Sequence, residues 1–265
     1  MRSGRWNNFL SYLTVLAVSL VLGCAHLAPF PSAKPFSQGE TAHLISHLSE
    51  QGEKIVSFQG VGRLRFKAGQ EDSESNLFAV GSKPFRARLE ITHPWGKPLF
   101  HLLVDERNIS VLSLTDNKFF TGPSNPVNTN RFFLCGLDLD SAWKIFSGRA
   151  PILPHYRAAS VRPNEITLYD RQGEVVEEIT FSAGPHLPRS IYLPKKGITV
   201  MLSQFTDGDL GPHPLRIRIV KGDEEQLVEI QYKNLQVNTP IPEEIFRLNP
   251  PPGFEVIQLD YQEDR

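Results

Sequence analysis

Most of the chain alternates apolar and polar residues with a period of two, which restricts it to a sheet with one buried face. The first such strand begins at Val56. It places Phe58, Gly60, Gly62, Leu64 and Phe66 on one face and Gln59, Arg63 and Arg65 on the other. A second run sets Phe85, Ala87, Leu89 and Ile91 opposite Arg86, Arg88 and Glu90. A sheet of such strands buries its apolar face by packing it against another layer or by curving so that this face lies inside.

Further strand patterns continue along the chain. They occupy 99–104, 109–114, 165–169, 175–181, 189–193, 199–205, 215–221 and 227–232, and Phe119 and Phe120 follow a hairpin turn at Asp116-Asn117-Lys118. Turn-forming residues at 170–173, 194–197 and 221–223 separate several of them. About eleven short strands predict a mainly β fold, a single strongly curved antiparallel sheet that forms an unclosed β-barrel.

Two helices interrupt this pattern. The first is indicated by Leu44, Ile45 and Leu48, which follow Ser37 and Glu40 and precede Gly52. The second is indicated by Leu139, Ala142, Trp143 and Phe146, with Asp138 or Asp140 as its N-cap and Gly148 just past its end. We expect both helices to cover the concave side of the sheet.

The N-terminal residues predict export and lipid attachment. Arg2 and Arg5 precede an apolar run that ends in Leu-Val-Leu-Gly-Cys at 20–24, which is typical of a bacterial lipoprotein signal peptide. A membrane-spanning helix is the alternative, but a span needs about 20 apolar residues and this run is shorter and interrupted by polar residues. We therefore expect a signal peptide at 1–23, a tether at 24–36 that starts at lipidated Cys24, a barrel domain at 37–260 and a polar tail at 261–265.

Charge and motifs exclude several classes of function. A formal net charge of −1 lacks the basic excess of a nucleic-acid-binding protein. The eight His residues are scattered, and the sequence has no His-Glu-x-x-His, Gly-x-Ser-x-Gly, Gly-rich phosphate-loop or Cys-x-x-Cys motif. His43 and His47 are expected to face solvent, and Cys135 is interpreted as a small, partly buried apolar residue. We predict neither enzymatic activity nor any catalytic residue, metal or cofactor.

Three segments resemble a known family. They are Arg88-Leu-Glu-Ile-Thr-His-Pro-Trp-Gly-Lys-Pro-Leu-Phe at 88–100, the hairpin at 108–122, and Pro-Glu-Glu-Ile-Phe-Arg-Leu-Asn-Pro-Pro-Pro-Gly-Phe-Glu-Val-Ile at 242–257. The first two are similar to LolB and the third to LolA, the bacterial lipoprotein receptor and carrier whose fold is an unclosed barrel with a helical lid over a hydrophobic cavity. Lipid anchoring favours the receptor, since a soluble carrier would lack the lipidated cysteine.

The resemblance implies an acyl-binding cavity. Its expected lining is Phe58, Leu64, Phe66, Leu77, Phe85, Leu89 and Ile91, and the expected lid residues are Leu44, Leu48, Trp143 and Phe146. An ordinary filled core is the alternative, because apolar alternation does not distinguish a filled interior from a hollow one. Arg63, Arg65, Arg86 and Arg88 are expected on the solvated outer face, although the resemblance leaves room for one to hold the lid.

The resemblance also implies a membrane-inserting loop at Pro94, Trp95 and Gly96, where LolB proteins expose a hydrophobic residue. Trp95 could instead fold back over one end of the barrel. We expect a monomeric outer-membrane lipoprotein that faces the periplasm, accepts acylated lipoproteins from a LolA-like carrier and inserts them into the phospholipid of the outer membrane. The alternatives are a lipid-sensing or lipoprotein-sensing module without transfer activity, and a structural envelope lipoprotein with a filled core.

Overall fold

One curved sheet carries the strands in the part of the chain that this computed structural model describes, residues 34–132, 136–222 and 226–260. The fourteen strands of these residues are β1 (Ser57–Ala68), β2 (Glu71–Ser82), β3 (Arg86–Thr92), β4 (Pro98–Asp105), β5 (Asn108–Ser113), β6 (Lys118–Pro123), β7 (Arg157–Ala159), β8 (Glu165–Tyr169), β9 (Val175–Phe181), β10 (Pro188–Leu193), β11 (Ile198–Thr206), β12 (His213–Lys221), β13 (Gln226–Val237) and β14 (Glu255–Gln258). Their order in the sheet is β14-β6-β5-β4-β3-β2-β1-β13-β12-β11-β10-β9-β8-β7.

The sheet joins two antiparallel meanders and stays open between β7 and β14. Strands β1 to β6 form one meander and β7 to β13 the other, and the two join where β1 pairs with β13. The register of this junction shifts between Val61 and Gly62, where Gly62 lies opposite Tyr232. A β-carbon on Gly62 would lie 2.2 Å from the carbonyl oxygen of Gln231, so only glycine allows the two backbones to approach this closely.

Three α-helices lie among the described residues: α1 (Gln38–Glu53), α2 (Pro126–Phe132) and α3 (Leu139–Phe146). Helix α1 starts with a capping box in which Ser37 and Glu40 each accept a hydrogen bond from the other's backbone N–H. Asp138 caps α3 by accepting from the backbone N–H of Ser141 at 2.8 Å. The two predicted helices and the predicted cap Asp138 are confirmed, whereas α2 was not predicted.

The predicted unclosed barrel is confirmed, but three strands were missed. The first half of β2 is polar at every position from Glu71 to Ser75 and lies exposed, so it shows no alternation. Strand β7 has only three residues, and β14 has four after a proline-rich stretch. The predicted signal peptide, Cys24, Cys135, most of the tether and the polar tail lie outside the described residues.

Residues 238–260, which we call the C-terminal strap, return across the outer face of β3 and end at β6. Arg88 Nη1 donates to the carbonyl oxygens of Ile245 at 2.8 Å and Arg247 at 2.9 Å, and Arg86 pairs with Glu243. Strand β14 then adds parallel to β6 and covers that edge. The expectation that Arg86 and Arg88 lie on a solvated face is therefore wrong in part: both face outward, but the strap covers them, and the Arg88 side chain is only 14% exposed.

The close contact at Gly62 generates a prediction about stability. Gly62→Ala should lower the free energy of unfolding by about 2 kcal/mol or more, because the added methyl group meets backbone atoms that cannot rotate away. Urea denaturation of residues 25–265 measures this. Gly39→Ala is the control, since nothing lies within 4 Å of a β-carbon at that position, and it should not destabilise the protein. Equal stability of the two variants would contradict the predicted contact.

Candidate functional site

Helix α3 fills the interior of the first meander. Its Trp143 ring lies 5.0 Å from the ring of Phe58 and 5.9 Å from that of Phe85, measured between centroids. Gly81 makes this contact possible, because a β-carbon there would lie 2.5 Å from Trp143 and 2.6 Å from Phe58. The indole Nε1 of Trp143 is buried, and no described residue accepts a hydrogen bond from it. The helix thus occupies the concave side of the sheet through apolar contacts that fix its place without satisfying this donor.

The end of α3 is defined by backbone and side-chain hydrogen bonds. The N–H of Gly148 donates to Ile145 and that of Arg149 to Lys144, and Gly148 has φ 76°, which is a Schellman motif. The buried hydroxyl of Tyr232 on β13 donates to the carbonyl oxygen of Phe146 at 2.9 Å. This geometry places Arg149 directly behind the helix, inside the protein.

Arg149 is a buried cation without a carboxylate partner. Its Nη1 donates to Gln51 Oε1 at 3.2 Å and to the carbonyl oxygen of Pro212 at 3.1 Å, and Nη2 donates to that of Leu210 at 3.0 Å. The residue is 4% exposed, and burial lowers the pKa of its guanidinium. Burial and the neighbouring guanidinium also lower the pKa of His213. Among the described residues no carboxylate forms an ion pair with Arg149.

Two hollows border this guanidinium. The first, which we call the Arg149 cavity, has a volume of about 180 Å³ and lies between α1, the end of α3 and the loops at 185–188 and 212. Its apolar walls are formed by Leu44, Leu48, Leu187, Leu202 and Phe205. The second, the outer cleft, measures about 420 Å³ and is bordered by 206–210 and 233–237. Sequence reasoning missed Arg149 because nothing in the residues after the helix signals that an arginine turns inward.

A second buried ionisable group lies on β9. Glu177 is fully buried. Its Oε2 accepts from the backbone N–H of Leu153 at 2.8 Å, and its Oε1 has no partner in the part of the chain that the structure describes. Burial raises the pKa of Glu177 to about 8. The sequence carried a signal for this residue, because it shares the inward register of β9 with Ile179 and Phe181.

The residues expected to line a cavity all lie on the inward face of the first meander. Phe58, Leu64 and Leu77 are buried, and Phe66, Phe85, Leu89 and Ile91 are partly buried against the core. None of these seven borders the Arg149 cavity. Two of them, Phe58 and Phe85, contact Trp143 directly. The structure therefore brings part of the predicted lining together with part of the predicted lid, in contact rather than across an empty space.

The four expected lid residues lie on two different helices. Leu44 and Leu48 on α1 border the Arg149 cavity, whereas Trp143 and Phe146 on α3 are buried in the core. A groove of about 590 Å³ also follows the other side of α1, between Thr41, Ile45 and the segment from Ile152 to Ala158. Helix α1 thus lies between two hollows, and α3 is the more deeply packed of the two helices.

The Trp95 turn projects from the β3–β4 hairpin. The N–H of Gly96 donates to the carbonyl oxygen of His93 at 2.7 Å, and Gly96 has φ 86°, a conformation that favours glycine. Asn76 Nδ2 on β2 also donates to that carbonyl oxygen, at 3.2 Å. Trp95 is 83% exposed, so it does not fold back over the barrel end.

The remaining polar candidates have structural partners. Arg63 pairs with Glu74 at 3.1 Å, and Arg65 holds both oxygens of Asp72, at 2.9 and 2.6 Å, on the exposed outer face as expected. His43 and His47 are exposed on α1. Among the described residues, no group of three or more His, Cys, Asp and Glu side chains could hold a metal ion. None of the described helices has the length and apolar character needed to cross a membrane.

Several solved structures share this architecture. A DUF1329 family protein from Desulfovibrio piger aligns with a TM-score of 0.54 and 9% identity over 78% of this chain and 97% of its own. A LolA superfamily protein from Nitrosomonas europaea aligns with a TM-score of 0.50 and 15% identity over 77% of this chain and 96% of its own. The fold is LolA-like.

A third solved structure with this architecture is an outer membrane lipoprotein-sorting protein domain from Vibrio parahaemolyticus. It aligns with a TM-score of 0.50 and 9% identity over 79% of this chain and 97% of its own. No protein-family model matches the sequence, and no curated protein matches it either. At these identities the comparisons establish the LolA-like fold and leave the LolB assignment to the proposal below.

The buried carboxyl of Glu177 generates a prediction about pH. Its folded-state pKa of about 8 lies above the ordinary value of 4.5, so between these values the folded protein holds a proton that the unfolded chain has released. Stability is therefore fully present below the lower value and is lost as the pH rises to about 8, by at most about 1.4 kcal/mol per pH unit.

Glu177→Gln should remove this loss, because glutamine can still accept from Leu153 and does not ionise. Urea denaturation between pH 5 and pH 8 measures the difference from wild type, which should grow as the pH rises. Glu178→Gln on the opposite face of β9 is the matched control and should keep the wild-type dependence. Parallel curves for wild type and Glu177→Gln would rule out the assignment.

Proposed function

We propose that this chain is a LolB-like receptor that accepts acylated lipoproteins from a LolA-like carrier and inserts them into the phospholipid of the outer membrane. In this proposal the protein is a monomer, anchored through lipid on Cys24 and facing the periplasm. The proposal is supported by the LolA-like fold, which this chain shares with a lipoprotein-sorting domain. The single observation that carries it is the amphipathic helix α3, which occupies the concave apolar face of an open sheet.

An acyl chain needs an apolar surface to leave the membrane, since each buried methylene is worth about 0.8 kcal/mol. The face covered by α3 offers such a surface: Phe58 and Phe85 contact Trp143, and phenylalanine can move its ring without breaking a hydrogen bond. An entering acyl chain would replace the contacts of α3 on this face with its own, so the buried apolar area of the face would change little.

Buried polar atoms on the two helices make the closed arrangement less stable than a fully satisfied core. Trp143 Nε1 on α3 and Thr41 Oγ1 on α1 are buried without a hydrogen-bond partner. An unsatisfied buried group costs about 1–3 kcal/mol, and exposure to water would recover that cost. The unsatisfied groups therefore support the view that the helices can leave the concave face, rather than that the core is permanently closed.

The Trp95 turn fits the delivery step. An indole ring prefers the membrane interface because its ring is apolar and its N–H can stay hydrated. The turn presents Trp95 to solvent, and the amide of Asn76 holds the turn in shape. A fixed, exposed indole can enter the interface without reordering the barrel that carries the acyl chains.

A structural envelope lipoprotein with a filled core is the second candidate. It is favoured by the direct contact of the predicted lining with Trp143. A sensing module without transfer activity is a third role that would use the same cavity. Transfer of a radiolabelled triacylated lipoprotein from a LolA-like carrier to phospholipid vesicles separates these roles, because only the receptor accelerates it. A chain that binds lipoprotein without transferring it is a sensor, and one that does neither is structural.

The exposed indole generates a prediction about transfer. Trp95→Glu should leave the stability and the binding of lipoprotein unchanged, because the side chain does not pack in the core, and should lower the rate of transfer to vesicles at least tenfold. Val161→Glu is the control: that valine is 73% exposed in the turn between β7 and β8, and its substitution should leave the rate unchanged. Transfer by Trp95→Glu at the wild-type rate would refute the role of this turn.

A further inference from the structure

The guanidinium of Arg149 is almost fully buried and has N–H groups without an acceptor among the described residues. Of its five N–H groups, Nη1 uses both of its own and Nη2 uses one, so among the described residues one N–H of Nη2 and that of Nε are without an acceptor. The three acceptors present are neutral oxygens of Gln51, Leu210 and Pro212. A cation in a low-dielectric site with only neutral acceptors is stabilised by an anion.

The two nitrogens with remaining N–H groups, Nε and Nη2, are a pair that can bind an oxyanion together. Nε and Nη2 form the edge of the guanidinium that binds a carboxylate with two parallel hydrogen bonds. Arg65 uses this edge on the outer face, where Nε and Nη2 hold the two oxygens of Asp72. Arg149 borders a cavity, and no side chain of the described residues supplies a carboxylate to the same pair of nitrogens.

The cavity beside Arg149 is apolar in its walls and has basic or neutral polar groups. Its polar side chains are His47, Gln51, His186 and Arg149, and no aspartate or glutamate borders it. In contrast, the exposed Asp207 and Asp209 border the outer cleft. An anion is therefore less repelled when it approaches from the side of α1 than through the outer cleft.

We propose that the Arg149 cavity binds an amphiphile with one acyl chain and an anionic head, with the head on the guanidinium of Arg149. The acyl chain lies against Leu44, Leu48, Leu202 and Phe205. A fatty-acid carboxylate and the phosphate of a monoacyl lipid share this chemistry. The inference rests on the proposed acyl-binding function. It adds a second class of ligand, because the acyl groups of a lipoprotein are uncharged whereas this ligand has an anionic head.

Ten-carbon ligands that differ only in the head group test this proposal. The compact unit begins at Pro35, so residues 25–265, which lack the predicted signal peptide and Cys24, are used. Decanoate, decyl phosphate and decanol are titrated by calorimetry at pH 7.5, with acetate and inorganic phosphate as anions without an acyl chain. We expect decanoate or decyl phosphate to bind at least tenfold more tightly than decanol, and the tighter of the two identifies the head group.

Variants at Arg149 connect this preference to the guanidinium. Arg149→Met should bind decanol and the anions equally, and Arg149→Lys should keep part of the preference because it keeps the charge. Arg189→Met, which removes an exposed arginine of β10, is the matched control and should bind like wild type. An Arg149→Met protein that folds as wild type and keeps the preference would overturn the proposal.

A spectroscopic measurement covers the case in which Arg149→Met does not fold. In protein labelled with ¹⁵N-arginine, the Nε–H signal that is absent from Arg149→Lys belongs to Arg149, and decanoate or decyl phosphate should shift it while decanol should not. Equal binding of decanol and both anions, or binding of acetate and inorganic phosphate as tight as that of their ten-carbon counterparts, defeats the inference.

The two proposals fail in distinguishable ways. Transfer of lipoprotein without any preference for the charged head would refute the inference and leave the receptor function standing. A preference for the charged head without transfer would support the inference and refute the receptor function.

Discussion

The contact between Trp143 and the β1–β2 pair is the constraint on which the interior depends. Gly81 has no side chain, and only for this reason can the indole lie against Phe58 at 5.0 Å between ring centroids. The position of the indole fixes helix α3, and the hydroxyl of Tyr232 then reaches the last turn of that helix. Gly60 leaves the room that the Tyr232 ring needs. Two glycines of the sheet therefore decide that a helix, rather than side chains of the strands, fills the concave face.

The same packing forces polar groups into the interior. Because α3 ends in a Schellman motif below the surface, Arg149 lies buried just past the helix and donates to Gln51 of α1 and to carbonyl oxygens of the 210–212 loop. Glu177 is buried on β9 and accepts from Leu153. Both charges are costly in a low-dielectric interior, and each can lower that cost only by neutralisation, by a counter-ion or by exposure.

The sequence predicted those features that depend on local residue patterns. Period-two alternation located the long strands, and Ser37, Asp138 and Gly148 marked helix ends through caps whose chemistry is local. Strands β7 and β14 were missed because three or four residues are too few to show alternation. Strand β7 pairs with the neighbouring β8, and β14 pairs with β6, which is distant in the sequence. The place of Arg149 depends on where α3 docks. The docking of α3 also decides whether Phe58 and Leu64 line a cavity or a filled interior. The alternation of apolar and polar residues does not show where that helix docks.

The attachment of the domain bears on how one turn could reach a membrane. The backbone N–H of Phe36 donates to Ser160 at 3.0 Å, and the Phe36 ring lies 5.7 Å from Phe181 and 5.1 Å from His186, which borders the Arg149 cavity. If Cys24 carries the lipid, the residues up to Phe36 can span about 40 Å at full extension. This is close to the diameter of a domain of this size, about 45 Å from the scaling of the radius of gyration. In the proposed receptor, a tether of that length would let the domain turn until the exposed Trp95 meets the membrane, and the Arg149 cavity lies near Phe36, where the tether ends.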